Sequence, residues 1–173
     1  MRAFIAAMFV LAALAGSAFA AAGEHVIQGD RSAGGIRIGR STPANVKALF
    51  RVPSTVRTPF AQSCVQTWKS ARLAVEFFTF EDKPCTKGVA LIVTVTGRTA
   101  WRTAVGLRVG DTTARVRALY PRARLRGVGT DRGYWLVTRQ ICAEVGGGSY
   151  PGLLARMNSG RVSAFAARIS VCD

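Results

Sequence analysis

An α+β fold is predicted, made of two tandem units. Each is a helix followed by antiparallel strands, and together they form a shared or continuous sheet with the helices on one face. Three observations predict it. The chain opens two segments alike, Gly35-Ile36-Arg37-Ile38-Gly39 and Gly106-Leu107-Arg108-Val109-Gly110, and an internal repeat fixes the unit of architecture. Each opening leads to an apolar stripe at i, i+3, i+4, Val46, Leu49 and Phe50 in the first copy and Val116, Leu119 and Tyr120 in the second, the spacing of one helical face. Each stripe gives way to runs with a period of two, joined by turn-forming residues, and strands joined by short connections after a helix pair antiparallel.

Residues 1–20 are expected to be a signal peptide. Met1-Arg2 supplies a basic start, Ala3 to Leu14 an apolar run, and Ala18-Phe19-Ala20 a small-x-small cleavage site, the three parts of an export signal. The run is too short to span a bilayer, which takes roughly 20 residues, and no cysteine follows it to carry a lipid. The rest is expected in a secreted, periplasmic or cell-wall space. Residues 21–34, polar and glycine-rich, are expected to be a flexible lead-in.

Module 1 is assigned to 35–97. After a short strand or turn at Ile36 to Ile38, Thr42 suits an N-cap and Pro43 the first helical position, where a missing N–H costs nothing. Pro53 and Pro59 predict a loop. Strands are expected from Cys64 to Lys69, from Leu73 to Phe80 with Val75 and Phe77 on one face, and from Val89 to Thr96, a Val/Ile/Thr-rich run. Module 2 is assigned to 98–173. Asp111 or Thr112 caps its helix, Pro121 stops it, and strands are expected at Tyr134–Thr138, Gly152–Met157 and Val162–Val171, with a hairpin turn at Asn158-Ser159-Gly160. Gly146-Gly147-Gly148 lacks the Gly-Lys-Ser/Thr of a phosphate loop and reads as a flexible loop.

Four cysteines, Cys64, Cys85, Cys142 and Cys172, lie beyond the leader, and an even count in an exported chain predicts two disulfides. Three pairings are open, and the repeat favours one bridge per module, Cys64–Cys85 and Cys142–Cys172. Close C-x-x-C pairs are missing and the one histidine is His25, so no metal site or cofactor is expected. Lys plus Arg number 24 against nine Asp plus Glu, a net +15 of which Arg2 leaves with the leader to give +14. Such a balance points to a negatively charged partner or to an arginine-biased solvated surface. Nucleic acid does not fit an exported chain.

The doubled motif resembles the helix-opening motif of the β-lactamase inhibitory protein superfamily, which the small lipoprotein of the outer-membrane β-barrel assembly machine shares. The residues that carry it are Ile38, Gly39, Thr42, Val46 and Leu49, then Val109, Gly110, Thr112, Val116 and Leu119, and the likeness covers the two helix starts. It implies an exported tandem repeat with one disulfide per half and a concave antiparallel sheet.

No catalytic residue is assigned. His25 falls in the lead-in, Glu81 and Asp82 in a turn, Glu76 faces away from Val75 and Phe77, Glu144 follows a cysteine, and Ser63 and Ser149 have no visible base. A binding surface is expected instead from Trp68, Trp101, Tyr134 and Trp135 standing among Arg72, Arg102, Arg132 and Arg139, since aromatics and arginines anchor interfaces. The chain is therefore expected to be a monomeric, non-enzymatic binding protein whose sheet face meets an extracytoplasmic protein or an anionic envelope component. The alternatives are adsorption to anionic wall polymer or lipid, and inhibition of a β-lactamase or another enzyme.

Overall fold

The computed structural model describes residues 25–98, 100–140 and 147–169. The elements are β1 (His25–Gln28), β2 (Ser32–Ala33), β3 (Ile36–Arg37), α1 (Pro43–Phe50), β4 (Thr55–Phe60), β5 (Ser63–Trp68), β6 (Leu73–Phe78), α2 (Pro84–Lys87) and β7 (Val89–Thr96). They continue with β8 (Trp101–Thr103), α3 (Thr113–Leu119), β9 (Arg124–Arg126), β10 (Gly133–Gln140), β11 (Ser149–Asn158) and β12 (Arg161–Arg168). The fold is mixed α+β, dominated by strands in two sheets. An eight-stranded antiparallel sheet has the order β4-β5-β6-β7-β12-β11-β10-β9, and a four-stranded sheet the order β3-β2-β1-β8.

The large sheet reads outward from its centre in mirrored order, because β7 and β12 pair with each other in the middle. Its inner face follows from the register. Cys64 opposes Phe77, Trp68 opposes Leu73, Val75 opposes Val93, Val95 opposes Phe165 and Ala155 opposes Phe165 and Tyr134. These side chains form one buried cluster with Ile27 and Ile36 of the small sheet, Trp101 of β8, Val46 of α1 and Val116 of α3. Burying a side chain such as Phe165 stabilises the fold by roughly 1.5–3 kcal/mol.

Helices α1 and α3 start as the Thr-cap reading predicts. Thr42 Oγ1 accepts from the Asn45 amide while the Asn45 side chain accepts from the Thr42 amide, a reciprocal capping box; Thr112 Oγ1 accepts from the Arg115 amide. The turns ahead of them match bond for bond. The Gly39 amide donates to Ala90 O at 2.7 Å and the Gly110 amide to Val162 O at 2.8 Å. In return the Ala90 amide donates to Ser41 O and the Val162 amide to Asp111 O, both at 2.8 Å. Gly39 and Gly110 hold φ of 79° and 98°, a region that strains any side chain with a Cβ.

Cys64 and Cys85 form a disulfide with a Cα–Cα distance of 5.1 Å, tying β5 to α2. Cys142 and Cys172 lie outside the described residues, as does Glu144. Among the described residues no helix is long and apolar enough to cross a membrane.

Two expectations are corrected. Within the supposed flexible lead-in, residues 25–34 hold β1 and β2. β1 pairs in parallel with β8, Ile27 is 1% exposed, and the His25 ring lies 4.6 Å from that of Trp101. The supposed loop at Pro59 is instead the edge strand β4. Proline is tolerated there because an edge leaves one side of the ladder unpaired, and the register slips between Arg57 and Phe60.

Candidate functional site

The turn that follows β1 and the turn that follows β3 fold onto each other. The Ile38 amide donates to Arg31 O at 2.9 Å, and the Ser41 amide to Arg37 O at 2.8 Å. The Arg37 amide donates to Ser41 Oγ at 2.9 Å, closing the second turn from within. Alternation along Ile36-Arg37-Ile38 buries both isoleucines and leaves Arg37 exposed. Gly34, at φ 56°, lets the backbone pass close over Trp101, since a Cβ there would stand 2.6 Å from the ring.

These turns and the end of β10 line a cleft of about 540 Å³ whose walls carry Arg31, Arg37, Arg40 and Arg139, with Asp30, Ser32, Ile38 and Ile169. Asp30 accepts from Nε and Nη2 of Arg139, a two-point pair that fixes that guanidinium. Among the described residues Asp30 is the one carboxylate in the lining, so these leave three positive charges uncompensated. Arg31, Arg37 and Arg40 are exposed, and their side chains make no hydrogen bond or ion pair with any described residue. A guanidinium presents a planar fork of donors that matches phosphate or carboxylate oxygens. Several such forks around one cavity offer donors to more than one charged oxygen at once.

The expected binding surface is largely dispersed. Trp68, Trp101 and Tyr134 are 2%, 1% and 6% exposed, so all three are core and no partner can reach them in the folded protein. Their faces are set by the register, and the two indoles are satisfied internally: Trp68 donates to Arg51 O at 3.0 Å and Trp101 to Ala71 O at 2.9 Å. Trp135 lies on the outer face of the large sheet, half-buried, donating to Asp131 O at 3.3 Å beneath the Arg126 guanidinium. Arg72 and Arg132 are exposed elsewhere, Arg102 is half-buried and donates to Thr103 O, and only Arg139 belongs to the cleft. Sequence reasoning missed Arg31, Arg37 and Arg40. Their signal was three arginines within ten residues, one of them at the outward position of the alternating Ile-Arg-Ile.

Two other polar residues among those described, Ser63 and Tyr120, are buried and half-buried. Ser63 Oγ donates to Glu76 Oε1 at 2.8 Å, a pair not visible in the sequence, but Ser63 is 3% exposed and closed to a substrate. Tyr120 has its pKa raised above the usual 10.0 by burial, which a hydrogen bond with Thr103 partly offsets. Among the described residues no group of three or more His, Cys, Asp or Glu could hold a metal. Compared with protein-family models, curated proteins and solved structures, the chain gives no significant match.

Proposed function

We propose that this is an exported, non-enzymatic binding protein whose partner is an anionic envelope component held in the Arg31/Arg37/Arg40/Arg139 cleft. The observation that carries the reading is the cleft's three arginines with no ion-pair partner among the described residues, beside a fourth fixed by Asp30. Unpaired like charges facing one cavity repel one another in the free protein, and an anion relieves that repulsion. The Cys64–Cys85 bridge fits an oxidising compartment, in line with the leader-like residues 1–20. The matched turns before α1 and α3 and the mirrored strand order support reading 35–97 and 98–173 as two copies of one module, as the resemblance to the β-lactamase inhibitory protein superfamily implies.

The test is titration of the leaderless chain with inorganic polyphosphate at low and moderate salt. Binding at low salt that weakens steeply as salt rises is expected, because exposed charge contacts are screened. No binding at low salt overturns the proposal. A second reading, a sheet face that grips a protein, is favoured by Trp135, which lies on the outer face beside Arg126. Capture of an envelope protein that Trp135→Ala abolishes would establish it.

A further inference from the structure

We propose that the anionic partner is the surface of a phospholipid bilayer, on which the protein docks by inserting Phe60 and Phe80 while the arginine cleft meets lipid phosphates. This rests on the anion-binding reading of the cleft and deepens it.

Phe60, at the turn between β4 and β5, is 73% exposed, and Phe80, just after β6, is 77% exposed. The two loops are fastened side by side, the Thr79 amide donating to Gln62 O at 3.1 Å. Phe78 supports Phe80 edge-on with ring centroids 5.0 Å apart. Isolated exposed apolar residues are ordinary on any surface. Two rings on adjoining loops at one rim are not isolated.

The register places that rim at the cleft's end of the sheet. Phe60 opposes Ser63, Ser63 opposes Phe78, and Phe78 opposes Val89, the first residue of β7. The next residue, Ala90, accepts from the Gly39 amide beside the cleft, and Leu91 O accepts from the amide of Ile169, a cleft residue. Arg139 lies on the same rim, where β10 ends. One end of the sheet thus carries both rings and arginines.

Three points favour a bilayer over other occupants. The rings stand out from loop tips instead of lining a groove, which suits a soft apolar medium better than a shaped pocket. The charges around them nearly cancel, Arg57, Lys83 and Lys87 against Glu81 and Asp82, with Lys87 paired to Glu81 at 3.0 Å, so approach to an apolar boundary carries little charge. A second copy of this chain would meet it with the same strongly positive balance. Interfacial binding grows with buried apolar area plus attraction to anionic lipid, and this rim supplies both.

The experiment is co-sedimentation of the chain from Ala21, which keeps every described residue, with vesicles of phosphatidylglycerol and of phosphatidylcholine. Binding to the first and not the second is expected. Phe60→Ser with Phe80→Ser should weaken it about tenfold, and Phe80→Trp should show a blue-shifted emission on binding. If the double serine variant binds as wild type while Arg37→Gln with Arg40→Gln does not, insertion is overturned and the cleft reading stands. If neither pair matters, both fail. If the wild type ignores phosphatidylglycerol vesicles yet binds polyphosphate, the bilayer is overturned and the rings are left to a protein partner.

Discussion

Arg37→Gln with Arg40→Gln is expected to weaken polyanion binding without weakening the fold. Both side chains are exposed at the cleft and make no hydrogen bond or ion pair with a described residue, so little native structure depends on their charge. Two unit charges at contact distance attract by about 1 kcal/mol in a water-like dielectric and by about 4 kcal/mol at an effective constant of 20. Exposure puts each arginine near the lower figure, so two should contribute about 2 kcal/mol, roughly 30-fold in affinity. Calorimetric titration with polyphosphate at low salt measures it directly, and the gap between variant and wild type should close as salt rises. Thermal unfolding of the free variant should be unchanged or slightly raised, since one source of repulsion is gone. Equal affinity for variant and wild type at low salt would show that the anion does not bind at Arg37 and Arg40. Equal losses from removing any two exposed arginines would describe a diffuse surface instead of a cleft.

Three further expectations concern the scaffold. Reducing Cys64–Cys85 should lower stability by roughly 3 kcal/mol from loop entropy, read as a shifted denaturation midpoint; an unchanged midpoint would show that the bridge constrains nothing. Gly34→Ala should cost about 1–2 kcal/mol for its left-handed backbone plus about 1–3 kcal/mol for crowding the Trp101 ring, 2.6 Å from the new Cβ. Gly106→Ala, with nothing within 4 Å, should cost only the backbone share. Equal costs in a denaturant series would contradict the packing argument. Tyr120 has a folded pKa raised by burial, so the neutral phenol is the stabilised form. That contribution is complete below pH 10 and is lost as pH climbs through the raised value. Tyr120→Phe should flatten the alkaline loss of stability followed by circular dichroism.

Where local pattern decides structure, the chain could be read directly. Thr42-Pro43 and Thr112 mark helix starts because a hydroxyl and a missing N–H act within one turn. Leu73, Val75 and Phe77 show their common face by alternation alone. Where partners lie far apart in sequence, the pattern was silent. β1 and β2 are four and two residues long and carry little signal of their own; β1 is held by a parallel partner some 76 positions away. The cleft unites Asp30 with Arg139 across 109 positions, and no local pattern announces such a pair. The rings failed as a guide for a related reason. Alternation shows that Tyr134 and Trp135 face opposite ways, but only the packed sheet reveals which face the helices cover.

Anion binding is expected to be local to one cleft. Backbone and guanidinium NMR signals followed during a polyphosphate titration test it most directly. Shifts confined to Arg31, Arg37, Arg40, Arg139 and their turn neighbours are predicted. Small shifts spread evenly over the surface arginines, with no preference for the cleft, would contradict it.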